Sequence, residues 1–270
     1  MGRLLSKPSL ETPLRRPLSR TSAVAETLVG EEATIDGSSY WLIEEPLHAY
    51  WSDCDRRLRP HGAIESGDRD LETLIGRFPE NTLFVDIETC GFSGSPLFLI
   101  GVAHPSERGM VLRQLLARTY AEEGAVLREF ARMIESHPLL VTFNGKSFDW
   151  PFLRDRMSRH RLRHPPELEH VDLLHLGRRF WKGRFPNYRL QTLELYVCGR
   201  RRVGDIGGRE VAQAYHDYVR TGRRREMKLI LKHNALDVVT MVQLVACMLR
   251  KSVAPESRET VDSPSTTCRR

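Results

Sequence analysis

Cysteine is scarce: the 270 residues hold five, Cys54, Cys90, Cys198, Cys247 and Cys268, and no two form a C-x-x-C pair. An odd, scattered set argues against a disulfide framework or a structural zinc site. It fits a reducing, cytoplasmic compartment and no disulfide-linked partner. No apolar run approaches the ~18 residues that a bilayer span needs. The N-terminus also lacks the apolar core of a secretory signal. A soluble chain without a membrane partner is therefore expected. No internal repeat is visible, which speaks against solenoids and propellers.

Positive charge and apolar content are present. Hydrophobic residues make up 40% of the chain, enough for a sizeable core, and 41 Lys and Arg against 35 Asp and Glu give a net charge of +6. A basic balance favours a polyanionic partner, but many basic proteins bind no nucleic acid, so the placement of the excess matters more than its size.

Four stretches differ in character. Residues 1–30 are rich in Ser, Pro, Arg and Thr without a sustained period and read as a disordered basic lead. Residues 31–80 read as a short β-hairpin with a Gly-Ser turn, then an irregular, partly helical approach. Residues 252–270 read as a disordered tail. Between them, 81–251 has α/β character. Residues 83–87 form an apolar run without alternation, as in a strand buried on both faces. Runs at 96–103 and 109–115 complete an antiparallel meander. A helix over 121–135, a strand over 139–143 and a second helix from Ser147 to about 157 follow, with Ser147 as its expected cap. A fifth strand over 171–174 is an option. Helical spacing runs from 189 onward and ends in a long helix over about 226–251. The expected class is α/β: a ribonuclease-H-like fold whose mixed sheet, antiparallel meander plus parallel strands, is flanked by helices.

Asp86-Ile87-Glu88 closes the first strand of that meander. Strand side chains alternate, so Asp86 and Glu88 share a face while Ile87 enters the core. Adjacent carboxylates repel, and a hard cation relieves them; a solvated pair at a strand end is the plainer explanation of an isolated D-x-E. Asp149 follows a strand, a polar turn and Phe148, where it could simply favour the positive end of a helix dipole. His233 and Asp237 are four apart in a helix and share a face, and an exposed pair would look the same. Asp237 sits mid-helix between Leu236 and Val238, a poor place for Asp without a further role.

The segments FVDIET, FNGKSFDWPFL and HNALDV resemble, in this order, the three motifs of the DEDD 3′–5′ exonuclease superfamily, and the likeness is to its YprB-like ribonuclease-H-like branch. Supporting it are Cys90-Gly91-Phe92-Ser93-Gly94, Phe98-Leu99-Ile100-Gly101, Asp172-Leu173-Leu174-His175-Leu176 and Leu190-Gln191-Thr192-Leu193-Glu194. The resemblance implies that Asp86, Glu88, Asp149 and Asp237 bind two divalent cations, Mg²⁺ or Mn²⁺, with Asp86 shared by both. Two such cations neutralise the attacking and leaving oxygens in phosphodiester hydrolysis. It further implies a nuclease acting on DNA or RNA at a single-stranded 3′ end. The chain departs from the superfamily at one position: Tyr four residues before the last Asp, or His five before it, is usual there, and here His233 stands four before Asp237. His is a credible general base, so the catalytic set is Asp86, Glu88, Asp149, His233 and Asp237.

For nucleic-acid contacts the candidates are Thr89, Phe92, Asn144, Phe148, Arg154 and Arg178. Basic runs at 154–164, 200–202 and 223–225 lie inside the same segment, although charge runs are usually solvated faces. Asp172 supports the site or caps a helix. A non-catalytic nucleic-acid-binding module and an endonuclease on the same fold are the alternatives; four intact carboxylates weigh against the first.

Overall fold

The computed structural model describes residues 27–58, 66–92, 94–163 and 168–252. The expectations for 1–26, Ser93, His164, Cys268 and the tail beyond Ser252 lie outside these residues.

One seven-stranded sheet, in the order β1-β2-β5-β4-β3-β6-β7, carries the molecule. β3 (Thr82–Thr89), β4 (Leu97–Ser106) and β5 (Gly109–Leu116) form the antiparallel meander. β6 (Leu139–Thr142) and β7 (Glu169–Asp172) add on parallel to β3. The lead-in hairpin, β1 (Glu31–Ile35) and β2 (Ser38–Pro46), extends the same sheet through β2 and β5. Its turn is Asp36-Gly37, both at positive φ, the primed geometry that suits twisted hairpins. The expected Gly-Ser turn is thus displaced by one residue.

Helices cover both faces. Leu83, Val85 and Ile87 face a core filled by α3 (Glu123–Ser136), α4 (Asp149–Arg159) and α7 (Gly208–Thr221). Phe84 faces the opposite core, built from α1 (Cys54–Arg57), α2 (Arg69–Arg77), α5 (Leu173–Phe180), α6 (Leu190–Cys198) and α8 (Arg225–Ser252). The absence of alternation in β3 is explained by this double cover. α8 is long and apolar enough by composition to cross a membrane, contrary to the reading of the sequence. Its apolar window is 61% buried inside the protein, because the helix lies across the sheet.

Ser147 does not cap α4. Phe148 is the N-cap residue and makes no side-chain bond there. The turn before α4 is held from outside by Asp172, fully buried, which accepts hydrogen bonds from the backbone N–H of Asn144 at 2.8 Å and Lys146 at 3.1 Å. The same carboxylate caps α5 by accepting from Leu174 N–H at 3.0 Å. One buried acid thus fixes both the turn and the helix after β7, and both roles considered for Asp172 are combined. The four cysteines among the described residues, Cys54, Cys90, Cys198 and Cys247, are free thiols.

Candidate active site

Asp86 and Glu88 continue the Phe84 face of β3, which is the face α8 covers. β3 and β6 run parallel, so the turns after both emerge at one end of the sheet. β6 pairs with β3 only as far as Phe84, and beyond that point the chain turns into α4 and delivers Asp149 beside the acidic end of β3. α8 brings His233, Asn234 and Asp237 over the same place. Three elements distant in sequence therefore meet on one spot, at the carboxyl ends of parallel strands, where sites of α/β sheets commonly form.

The closeness of the four carboxylates is visible in their proton affinities. Burial, then the charges of Asp237, Glu88 and Asp149, holds Asp86 well above the usual carboxylate range, against the hydrogen bond from Asn234. Glu88 is pushed up to about 8 by burial, with Asp237, Asp149 and Asp205 adding like charge. Asp149 is pushed up to about 7, again by burial first. Burial also raises Asp237, while Arg202 and His233 pull it back.

Asn234 is fully buried and ties α8 to β3. Its amide donates to Asp86 Oδ2 at 2.8 Å and to the Asp86 carbonyl at 3.2 Å, and its Oδ1 accepts from Gln114 at 2.8 Å. The contact needs glycine opposite: a Cβ on Gly101 would stand 2.1 Å from Asn234 Oδ1.

His233 is held by a residue the sequence did not single out. Asp205, in the connection between α6 and α7, accepts from His233 Nδ1 at 2.7 Å. This turns Nε2 toward the acids, 3.4 Å from Asp237 Oδ2 and 4.0 Å from Glu88 Oε1. Arg202, on the same connection, donates to Asp237 and, at 2.6 Å, to Glu194. Glu194 is buried and also receives Arg200.

The donor set suits hard cations: all oxygen and several carboxylates, with like charge offset in part by Asn234, Arg202, His233 and, at Asp149, backbone hydrogen bonds. Among the described residues no three Asp, Glu, His or Cys side chains stand closed round a single point as a ready cage. Oxygens of Asp86 and Asp237 are taken by Asn234 and Arg202 instead.

Comparison with known proteins places this geometry. The model of the RNase H superfamily matches residues 83–249, from the start of β3 to near the end of α8, a span that includes the four carboxylates. The chain belongs to the RNase H superfamily. An uncharacterized Bacillus subtilis (strain 168) protein, YprB, is 34% identical over 192 residues, covering 69% of this chain and 46% of that protein. The chain thus spans about half the length of the curated relative it matches. A family B DNA polymerase from the archaeon Pyrobaculum calidifontis aligns with a TM-score of 0.52 at 16% identity, over 78% of this chain and 29% of that one. At that identity the likeness is one of fold.

The remaining candidates of this RNase H superfamily chain are distributed unevenly. Phe92 is 94% exposed just past β3, and Asn144, at positive φ, and Phe148 are exposed just past β6, so all three sit at the carboxylate end of the sheet. The Thr89 hydroxyl is occupied in the turn, donating to the Gly91 carbonyl at 3.0 Å. Arg154 and Arg178 are exposed on α4 and α5 and make no ion pair with a described carboxylate. The basic run from 154 is not a uniform surface patch. Arg156 turns inward and forks onto Glu123 with two 2.6 Å bonds, because a buried acid there needs a partner. Arg200 and Arg202 likewise point inward. Gln114 and Asp205 escaped sequence reasoning, Gly101 and Glu194 entered it only within motif runs, and Arg202 only within a basic run. The signal in hand was the Leu-Gln-Thr-Leu-Glu run ending at Glu194, since a charged residue among apolar neighbours is buried only with a partner.

Proposed function

We propose that this chain is a metal-dependent nuclease that hydrolyses phosphodiester bonds of DNA or RNA, removing nucleotides from a single-stranded 3′ end. The observation that carries the reading is the gathering of Asp86, Glu88, Asp149 and Asp237 from β3, α4 and α8 into one crowded acidic cluster. Structural carboxylates are normally paired with cationic side chains or backbone N–H groups, and this cluster is under-compensated.

The four carboxylates would hold two Mg²⁺ or Mn²⁺ ions, which when bound supply counter-charge to the phosphate and acidify water. The protein's own groups do the rest. Asn234 fixes the orientation of Asp86. Asp205 accepts the Nδ1 proton of His233, leaving Nε2 to take a proton from the attacking water. Phe92 and Phe148, exposed at the same end, offer faces on which terminal bases can stack. Asn144 lies beside them as a hydrogen-bonding group, Thr89 holds the turn before Phe92 through Gly91, and Arg154 and Arg178 supply outlying positive charge for the backbone.

The test uses 5′-labelled single-stranded DNA and RNA with purified protein, with Mg²⁺, with Mn²⁺ and with EDTA. A one-nucleotide ladder shortening from the 3′ end, abolished by EDTA and by Asp86→Asn, is expected. Undiminished cleavage by Asp86→Asn refutes the assignment, and cleavage of a 3′-blocked strand would make the enzyme an endonuclease. His233→Ala should lower the rate by ~10²–10⁴-fold if it is the base. A loss of only a few-fold would remove it from that role.

A further inference from the structure

A guanidinium bonded to one of the proposed cation ligands is an unusual partner, and its surroundings indicate what it does. Arg202 is 6% exposed, wedged between Glu194 at 1% and Asp237 at 15%. Its Nε donates to Glu194 at 2.6 Å and its Nη2 donates to Asp237 Oδ1. Glu194 is shared with Arg200, which is itself anchored on Thr240 Oγ1 at 2.6 Å. Two arginines and two acids thus make a balanced chain round the buried Glu194, in which Asp237 is the member that also belongs to the acidic cluster.

A third acceptor is already engaged, more loosely. Arg202 Nη1 lies 3.4 Å from Asp205 Oδ2. The connection that bears Arg202 and Asp205 lies outside regular structure, with Val203 84% exposed and Gly204 at positive φ. It borders a cavity of about 290 Å³ together with Arg201, Leu229 and Lys232.

We propose that Arg202 is a built-in competitor of the divalent cations for Asp237. The guanidinium supplies positive charge next to Asp237, and with a cation held there it would give up Asp237 while keeping Glu194 and Asp205. Arg202 is a positioning residue in this scheme and touches no substrate. The inference rests on the reading of the four carboxylates as cation ligands. Its consequence is a cation affinity held below what the carboxylates alone would give. Binding is also coupled to Asp205, and through Asp205 to the orientation of His233.

The experiment is Mn²⁺ binding to the full chain by isothermal titration calorimetry, for the wild type, Arg202→Met and Arg202→Lys, each checked for folding by circular dichroism in EDTA. Removing a like charge next to a doubly charged ion should tighten binding on the order of tenfold in Arg202→Met. Arg202→Lys keeps the charge but loses the fork that spans Glu194 and Asp237, so binding should tighten by a few-fold. Should the Met variant fail to fold, the Lys variant decides. Unchanged or weaker Mn²⁺ affinity in a folded variant overturns the proposal while leaving the cation reading intact. No Mn²⁺ binding by any of the three proteins removes the cation reading and the proposal with it.

Discussion

Replacing Gly101 with alanine tests how tightly the site depends on the approach of α8 to β4. The new Cβ would lie 2.1 Å from Asn234 Oδ1, 2.7 Å from Cγ and 2.8 Å from Nδ2, so the whole amide is in its way. The shortfall from ordinary contact is about 1.3 Å at the closest atom. Asn234 is fully buried on a helix packed across the sheet, so it has to rotate away or push α8 outward. Overpacking of this kind costs about 1–3 kcal/mol. Rotation also breaks the bond to the Asp86 side chain, a contact of about 0.5–1.5 kcal/mol. Together Gly101→Ala should cost about 1.5–4.5 kcal/mol, a large share of the 5–15 kcal/mol typical of folded domains. Urea unfolding of Gly101→Ala, Asn234→Ala and the double variant reads this directly. With Asn234 trimmed, the alanine at 101 has room, so the double variant should be more stable than the sum of the two losses by at least ~1 kcal/mol. A Gly101→Ala loss below ~0.5 kcal/mol, or strict additivity, would refute the steric argument.

The raised carboxylates make cation-free stability depend on pH. Burial and like charge push Glu88 up to about 8 and Asp149 up to about 7 in the folded protein, against ordinary values of 4.5 and 3.8. The native state therefore holds more protons than the unfolded chain, and stability is present below about pH 4 and lost as pH rises through 8. In EDTA the thermal midpoint should fall between pH 5 and pH 8, Mg²⁺ at pH 8 should restore it, and a flat profile would contradict the assigned crowding. Asp172→Ala leaves the N–H groups of Asn144, Lys146 and Leu174 without their acceptor, a loss of about 2–4 kcal/mol measurable by urea unfolding. A loss under ~0.5 kcal/mol would mean that water replaces the carboxylate. Phe92→Ala should leave stability within ~0.5 kcal/mol of wild type, as surface changes do, and raise KM for single-stranded substrate; an unchanged KM takes Phe92 out of the interface.

Much of this architecture is written locally. β3 declares itself because a strand covered on both faces needs an unbroken apolar run, and Asp86 and Glu88 share a face because strand side chains alternate. His233 and Asp237 share a face because they are four apart on one helix. The order of the three acidic motifs gave the family and the four carboxylates. Less legible were short-range details decided by long-range partners. Ser147 has a capping side chain, yet the turn it occupies is fastened by Asp172 from another strand. Arg156, Arg200 and Arg202 look like surface charge in sequence, and the buried acids Glu123 and Glu194 draw them inward. α8 is apolar enough for a bilayer and is buried by the sheet instead.

The sequence by itself determined the periodicities, the acidic motifs and their order, because strand and helix geometry act over two to four residues. Only the tertiary structure decided what surrounds the acids: Gly101 and Gln114 behind Asn234, Asp205 on His233, and Arg202 on Asp237. Those partners come from connections and strands tens of residues away. Whether a charge is solvated, paired or left to find an ion depends on which surfaces the folded chain brings together.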